Sequence, residues 1–356
     1  MVAASQRDVS RVGSAALDWT QLGFEWRDTN AHLTYTCKDG VWGDGEVVRD
    51  PYIKVHIANT AMHYGQAAFE GLKAFHMKDG NVRIFRPTEN AARIAASARR
   101  ILMEPPPREL FLEACRRAVR ENMEFVPPYG TNGALYIRPL LFGSGPRIGL
   151  QPSGEYTLLV MVIPVGEYYK GGMRPTTAVV IDGYDRAAPR GVGGVKVAGN
   201  YAADMLPNVE AKRAGYPIGL YLDAKTNSLV EEFSTSNFLG VTRDGRYVTP
   251  DSPAILPSIT NKASRSRSLM ELAMSLGMPV ERRAIPMAEV GELAEVAACG
   301  TAVVMTAIKQ VVWGDSIVPI AGGSDEVGPV CRRLYGMVRA IQTGDAEDAL
   351  GWMVDI

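Results

Sequence analysis

The stretch GGVKVAGNY, residues 193–201, places a single lysine, Lys196, between two valines in a run rich in glycine. A lysine in apolar surroundings has a lowered pKa, because burial disfavours the ammonium form, and its neutral amine is then a nucleophile toward an aldehyde. The flanking glycines let the backbone approach a bulky ligand. A lysine at a strand edge whose amine reaches water explains the same pattern. This stretch alone therefore leaves both interpretations open.

Composition narrows the class of protein. The chain has 356 residues, of which 46% are hydrophobic, and this length favours two domains with a large core. A formal net charge of -1 gives no basic surface, so we do not expect nucleic acid as a partner. The four cysteines form no CxxC pair, and the four histidines show no HxxxH or HExxH spacing. We therefore expect no disulfide framework, no metal site and a reducing compartment.

The sequence gives no sign of a membrane partner. The best apolar run, YTLLVMVIPVG from Tyr156, is too short to cross a bilayer and contains a proline. The N-terminal residues lack the apolar core of a signal peptide, and Asp8 and Asp18 argue against a transit peptide. We expect a cytoplasmic protein, with a mitochondrial location left open.

Helix and strand patterns alternate along the chain. PRELFLEACRRAVRENMEFV repeats apolar residues at helical spacing, and RPTENAARIAASARRIL predicts a second helix with Thr88 as its N-cap. ALYIRPLLFG and YTLLVMVIPVG are typical of buried strands, and strands dominate the later part of the chain. We predict an α+β protein with an N-terminal domain 1–170, a linker 171–182 and a C-terminal domain 183–356, with a cleft between the domains.

Three later segments place polar groups at the ends of apolar runs. SLVEEFSTSNFLGV contains Glu232, a carboxylate able to keep a pyridine nitrogen protonated, although a solvated acidic turn has the same sequence pattern. In PAILPSITNK a turn leads into a predicted helix near Ile259 and Thr260, whose N–H groups favour a phosphate, but plain helix caps use the same residue types. The Gly-Thr turn in AACGTAVVM offers N–H groups and a hydroxyl to an anion.

Taken in order, these segments resemble the branched-chain amino acid aminotransferases, which are class-IV (fold-type IV) enzymes dependent on pyridoxal 5'-phosphate (PLP). MHYGQAAFEGLKAF, VRIFRP, LYIRP, GGVKVAGNY, EEFSTSNFL and CGTAVV all occur in the family's order. The resemblance extends from about Gly23 to the C-terminus. It implies a smaller N-terminal α/β domain, a larger C-terminal domain with a pseudo-barrel of strands, and a homodimer.

The resemblance also implies that PLP is the cofactor and assigns it a set of residues. Lys196 would form the internal Schiff base and then transfer the proton. Tyr201 would hydrogen-bond the phenolic oxygen of the cofactor, and Glu232 would pair with the pyridine nitrogen. The phosphate would be contacted by Arg93, Ile259, Thr260 and Thr301.

The reaction implied is reversible transamination between leucine, isoleucine or valine and 2-oxoglutarate. Arg138 would receive the distal carboxylate of glutamate, and Leu150 would touch the substrate of the partner subunit. The α-carboxylate would be held by Tyr64, Thr235 and Ala302. The side-chain pocket would be walled by Trp26, Phe69, Tyr136 and Tyr168.

Some positions depart from the family pattern. Val303 and Thr306 stand where animal members carry a redox CxxC pair, so thiol regulation is not expected. Ser258 and Asn261 stand where members often have glycine and arginine, which leaves open a related class-IV aminotransferase of a specialised pathway. A D-amino acid aminotransferase and an aminodeoxychorismate lyase are further alternatives, but FEGLKAF and LYIRP favour the branched-chain group.

Two further alternatives are not active aminotransferases. LLFGSGPRIGL carries glycines after a predicted strand, as dinucleotide-binding oxidoreductases do, but Pro146 and Pro152 follow where a helix should begin. A catalytically silent member of the PLP fold is disfavoured, because the lysine, the tyrosine and the glutamate are all present.

Overall fold

The computed structural model describes residues 9–166, 172–259, 268–301, 304–321 and 323–356. These residues form two compact units. The first unit comprises the described part of residues 1–168 together with Ala340–Ile356, and the second comprises the described part of residues 169–339.

The first unit begins with eight strands and three helices. The strands are β1 His32–Lys38, β2 Val41–Trp42, β3 Glu46–Val48, β4 Ala67–Phe69, β5 Leu72–His76, β6 Val82–Phe85, β7 Ala134–Gly143 and β8 Glu155–Val165. The helices are α1 Thr60–Tyr64, α2 Pro87–Arg100 and α3 Arg108–Glu121. Short 3-10 helices occupy Val9–Arg11, Trp19–Gln21 and Met123–Phe125.

The second unit is richer in strands. Its strands are β9 Thr176–Val180, β10 Ile218–Leu222, β11 Val230–Phe233, β12 Ser236–Val241, β13 Tyr247–Pro250, β14 Val280–Arg283, β15 Glu295–Gly300, β16 Val304–Trp313 and β17 Ser316–Pro319. The helices are α4 Ala198–Arg213, α5 Ser268–Ser275 and α6 Pro329–Thr343, with a 3-10 helix at Met287–Glu292. A last strand, β18 Met353–Asp355, belongs to the first unit.

The first unit is built on one antiparallel sheet. Its strand order is β18-β6-β5-β7-β8-β1-β2, with β3 also paired to β1 and β4 also paired to β7. The long β7–β8 pairing runs from Ala134↔Val165 to Gly143↔Tyr156 and forms its centre. Helix α3 forms as its apolar spacing predicts, and its buried face is Phe111, Leu112, Ala114, Cys115, Ala118 and Val119. The glycine-rich segment after β7 returns as β8 rather than as a helix, which removes the dinucleotide-binding alternative.

The second unit closes into a barrel. Its strand order is β11-β10-β9-β16-β15-β12-β13-β14, and an additional pairing of β11 with β12 joins six of these strands into a ring. Large side chains fill this unit, and Phe233 stacks on Phe238 with ring centroids 5.8 Å apart. The predicted α+β fold with a strand barrel is therefore confirmed.

The division of the chain differs from the predicted one in two places. β18 pairs antiparallel with β6, so Ala340–Ile356 belongs with the first unit and the two units are similar in length. The predicted linker 171–182 contributes β9, which lies parallel to both β10 and β16. The apolar residues of β9 form hydrogen bonds with a strand on each side, so this segment is part of the barrel and not a linker.

Two predicted helix starts also need comment. Thr88 lies inside α2 and does not cap it, because the N-cap position is Arg86, which has a φ of 49° and makes no side-chain cap hydrogen bond. Pro87 occupies the first turn, where its missing N–H costs nothing. The helix start expected at Thr260 lies outside the described residues. Among those that are described, no helix is long and apolar enough to cross a membrane.

Candidate active site

Lys196 lies in the turn that leads directly into α4. Its Nζ donates to the Tyr201 hydroxyl at 2.6 Å and lies 4.8 Å from the centre of the Tyr201 ring. Asn200 fixes this turn, since its Nδ2 donates to the carbonyls of Val192 at 2.8 Å and Val195 at 3.0 Å. The structure thus brings the predicted amine and the predicted phenol into direct contact.

Glycines in this turn allow a close approach to the loop that follows β13. A Cβ added to Gly193 would lie 2.2 Å from the carbonyl oxygen of Ala254, and one added to Gly194 would lie 2.8 Å from that of Pro253. Real side chains do not make contacts of that length, so both positions require glycine. The lysine turn is held against the loop that leads toward Ile259.

Glu232 is buried on β11, with 4% of its surface exposed, and is not the solvated acid of the alternative interpretation. Its Oε1 accepts the Leu256 N–H at 2.9 Å, and its Oε2 accepts Asn237 Nδ2 at 3.0 Å. Burial raises its pKa to about 7, while the positive charges of Arg186 and Lys196 act in the opposite direction. A carboxylate in this setting suits a cationic ring N–H.

Glu231, the neighbouring acid, is also 4% exposed, but alternation along β11 points it to the other face. Its Oε1 accepts from the Ser252 hydroxyl at 2.8 Å, and its Oε2 has no hydrogen-bond partner among the described residues. Burial raises its pKa as well. Lys196 exerts its charge on Glu232, which supports the choice of Glu232 made from sequence.

Thr235, Ile259 and Thr301 lie at turns. Thr235 is exposed at the tip of the β11–β12 hairpin, and its carbonyl oxygen would be 3.6 Å from a Cβ on Gly300. The Gly-Thr turn at Thr301 is therefore beside Thr235 and Ser236, as the Asn237↔Cys299 pairing requires. Ile259 is buried. Thr260 and Ala302 lie outside the described residues, as does Tyr168.

Arg93, in the first unit, is held by an acid that sequence reasoning missed. Its Nε lies 2.6 Å from Glu70 Oε1 and its Nη2 lies 2.7 Å from Glu70 Oε2. Glu70 has no exposed surface, and Asn90 Nδ2 also donates to its Oε2 at 2.7 Å. The pair fixes the plane of the guanidinium, because a carboxylate and an arginine fork match in two bonds at once.

Arg138 lies among aromatic rings on β7. Its guanidinium carbon is 4.8 Å from the Phe69 ring centre and 5.2 Å from that of Tyr136, and its Nη2 donates to the Tyr136 hydroxyl at 3.0 Å. A Cβ on Gly71 would lie 2.2 Å from that hydroxyl, so only glycine leaves room for the tyrosine. Three consecutive residues therefore contact three different partners: Phe69 contacts Arg138, Glu70 contacts Arg93, and Gly71 leaves room for Tyr136.

Trp26 does not join this aromatic group. It is 56% exposed, donates from Nε1 to Asp28 Oδ1 at 3.2 Å, and lines a separate cavity of about 260 Å³ with His32. Phe24 lies edge-on to Tyr136 with ring centres 4.8 Å apart. The place of Trp26 in the wall of the side-chain pocket stays a prediction.

Tyr64 and Leu150 line a common cavity of about 310 Å³ in the first unit, together with Gln66, Arg100 and Leu102. The Tyr64 hydroxyl donates to the Ile148 carbonyl, which ties the end of α1 to this loop. Leu150 is 84% exposed.

Glu70 and Arg186 are the charged residues that sequence reasoning missed. Arg186 Nη2 lies 2.5 Å from Glu232 Oε1, and both side chains are more than nine-tenths buried. The sequence did carry one signal of such a residue. Glu70 lies inside the apolar motif FEGLKAF, and a charge that is buried in this way is paired with an opposite charge.

A lysine that is hydrogen-bonded to a tyrosine and whose charge acts on a buried carboxylate suits enzymes that hold an aldehyde cofactor through the lysine. The family model "amino-transferase class IV" matches residues 67–311, and the chain belongs to this family. It is therefore a transaminase of fold-type IV, as the sequence resemblance predicted.

Known branched-chain amino acid aminotransferases are similar to this chain over nearly its whole length. The branched-chain-amino-acid aminotransferase of Haemophilus influenzae is 42% identical, over 96% of this chain and 99% of its own. The crystal structure of the Escherichia coli branched-chain amino acid aminotransferase is similar with a TM-score of 0.76 and 27% identity, covering 92% of this chain and 99% of that one. A branched-chain amino acid aminotransferase of T.th., complexed with N-(5'-phosphopyridoxyl)-L-glutamate, has a TM-score of 0.73 and 26% identity, covering 92% of this chain and 99% of that one.

Proposed function

We propose that this chain is a PLP-dependent transaminase that interconverts leucine, isoleucine or valine and 2-oxoglutarate with the branched 2-oxo acids and L-glutamate. The contact between Lys196 and Tyr201, in the unit that also buries Glu232, carries this proposal. The names of the similar proteins support branched-chain substrates and a glutamate complex.

The residues present fit PLP group by group. The Lys196 amine suits the aldehyde, the Tyr201 phenol suits the ring hydroxyl, and the buried Glu232 carboxylate suits a protonated ring nitrogen. Arg93, whose guanidinium is fixed by Glu70, suits the phosphate. Ile259, Thr260 and Thr301 complete the proposed phosphate contacts.

PLP, when bound, supplies an electron sink for the substrate α-carbon. The chain supplies positioning and proton transfer. Lys196 Nζ is the proposed base, and Tyr201 orients it through the 2.6 Å contact. Glu232 keeps the ring nitrogen protonated by offering it a negative charge inside a low-dielectric core. Tyr64, Thr235 and Ala302 are the proposed partners of the substrate α-carboxylate.

Substrate choice is proposed to depend on Arg138. Phe69 and Tyr136 cover its flat faces, so a branched aliphatic chain meets mainly apolar surface. Arg138 Nε is buried and has no hydrogen-bond partner among the described residues. A buried donor of this kind can receive the γ-carboxylate of glutamate in a charge-assisted bond. One pocket would thus accept both kinds of side chain. Tyr168 is proposed to add to its wall.

The same proposal includes a homodimer in which Leu150 reaches the partner's substrate. Ile57 and Tyr52 are each 82% exposed, Ile148 is 62% exposed and Leu150 is 84% exposed. Apolar side chains exposed in this number favour burial against a second copy. Sedimentation of the holoenzyme would give a dimer, and a fully active monomer would contradict this part of the proposal.

The test of function is a transamination panel with purified protein. Many 2-oxo acids are offered with L-glutamate as donor, and the wild type should be yellow and most active with the branched 2-oxo acids. Lys196→Ala should abolish the reaction, while Lys212→Ala, a change at an exposed lysine at the end of α4, should leave it unchanged. A Lys196→Ala enzyme with near-native turnover would refute the assignment.

A further inference from the structure

One buried guanidinium lies among several buried acids in the second unit. Arg186 pairs with Glu232 through Nη2 at 2.5 Å, and its side chain is 8% exposed. It also exerts its charge on Glu231 and on Asp204, an acid of α4 that accepts from the Tyr221 hydroxyl at 2.5 Å. Among the described residues, Arg186 is the cation in direct contact with Glu232. Its positive charge opposes the effect of burial, which raises the pKa of that carboxyl group.

Arg186 also connects the two loops around Glu232. Its Nη2 donates to the carbonyl of Gly193, at 3.2 Å in the lysine turn, and to the carbonyl of Ala254 in the loop after β13. These are the loops whose close approach requires Gly193. One side chain thus sets the position of the lysine turn and the position of the carboxylate together.

The two oxygens of Glu232 differ in their partners. Oε1 accepts the Leu256 N–H at 2.9 Å and lies 2.5 Å from Arg186 Nη2, whereas Oε2 accepts Asn237 Nδ2 at 3.0 Å. A carboxylate oxygen can accept two hydrogen bonds, and among the described residues each of these oxygens accepts one. Because the guanidinium lies beside Oε1, Oε2 is the oxygen that is left for a further N–H donor.

We propose that Arg186 is a positioning residue that keeps Glu232 ionised and turns Oε2, with Asn237, toward the ring nitrogen of the cofactor. This inference rests on the proposed role of Glu232 and goes beyond it by naming what holds that carboxylate. Arg186 acts on the reaction through Glu232, and it takes no part in proton transfer. The charged groups that act on Glu232 are Arg186, Lys196 and Glu231.

The experiment compares Arg186→Gln, Arg186→Lys, Glu232→Gln and the Arg186→Gln/Glu232→Gln double variant as holoenzymes. Two quantities are measured across pH: turnover with leucine and the absorption spectrum of the bound cofactor. Removing the cation makes Glu232 harder to ionise, so the acid limb of both profiles should move to higher pH in Arg186→Gln. Turnover below neutral pH should fall at least tenfold, and Arg186→Lys should restore part of the shift because it keeps the charge.

The double variant separates positioning from general support of the fold. If Arg186 acts through Glu232, the double variant should be no slower than Glu232→Gln and should show no further shift of its spectrum with pH. Losses that multiply would instead mean that Arg186 only supports structure, and so would an unshifted profile in Arg186→Gln. If Arg186→Gln does not fold, the same comparison is made with Arg186→Lys and its double variant.

The result also distinguishes this inference from the function on which it rests. A Glu232→Gln enzyme with full activity would overturn the role of Glu232 and this inference with it. A slow Glu232→Gln enzyme beside an unaltered Arg186→Gln enzyme would overturn this inference alone. Arg246→Gln removes an exposed arginine paired with Asp244 and should change neither profile.

Discussion

Replacing Glu70 with glutamine tests the link between a buried acid and the proposed phosphate contact of Arg93. The substitution keeps the shape but removes the charge and replaces one acceptor oxygen with an amide NH2 group, which can only donate. Arg93 offers two N–H donors to the two oxygens of Glu70, and Asn90 offers a third. The new amide can satisfy Arg93 or Asn90, but not all three donors, so a buried donor is left without a partner.

The size of the effect follows from these contacts. A hydrogen bond to a charged group is worth about 1.5–3 kcal/mol, and Glu70 loses at least one such bond to Arg93. With Arg93 only 12% exposed, solvent does little to replace it. We expect the free energy of unfolding to fall by about 2–4 kcal/mol. A guanidinium that is no longer held in one plane should also weaken PLP binding by about 10–100-fold, or about 1.4–2.7 kcal/mol.

The assay titrates the apoprotein with PLP and, separately, with pyridoxal, which lacks the phosphate. Glu70→Gln should weaken binding of PLP and leave binding of pyridoxal nearly unchanged, and Arg93→Gln should show the same selectivity. Glu109→Gln, at an exposed position on α3, is the matched control and should bind both normally. An equal loss for both ligands would refute the reasoning, because it would mean that Glu70 supports the fold and not the phosphate contact.

Three further outcomes are expected. The raised pKa of Glu232 means that the folded apoprotein binds a proton that the unfolded chain has lost, so the free energy of unfolding should decrease by about 2 kcal/mol as pH rises from about 5 to about 7; urea unfolding should show a flatter profile for Glu232→Gln. Gly193→Ala should lower stability by about 1–3 kcal/mol, since its Cβ would overlap the Ala254 carbonyl, and thermal unfolding of the apoprotein measures this. Arg138→Gln should slow the glutamate half-reaction more than the leucine half-reaction by about 2–3 kcal/mol in single-turnover rates; equal losses would make Arg138 a structural residue.

Local patterns predicted the elements that depend on local sequence. The apolar spacing of residues 107–126 predicted a helix with one buried face, and Phe111, Cys115, Ala118 and Val119 on α3 are buried. The barrel depends on the β11–β12 pairing and on parallel partners for β9, and hydrogen bonds between distant strands leave no such periodicity. The barrel was therefore expected only through the resemblance to a family.

In the candidate site, too, the contacts between residues close in sequence were predictable and the contacts between distant residues were not. Lys196 and Tyr201 are five residues apart, one in the turn before α4 and the other in its first turn, so their contact is local in sequence. Glu70 and Arg93 meet across two secondary-structure elements, and neither residue indicates the other in sequence. Trp26 and Phe24 differ by two positions in an irregular segment, where no periodicity tells which ring faces Tyr136.

The pairing of β18 with β6 has a consequence for the order in which the protein is made. Residues 353–355 leave the ribosome after every residue of the second unit, yet they form the edge of the sheet that begins with the first. The barrel is contiguous in the chain and can complete its pairing during synthesis, whereas the first sheet must wait with β6 uncovered. Domains usually fold in the order of their synthesis. In this protein the unit that begins first is completed last, and the nascent chain carries an open strand edge through the whole translation of the barrel.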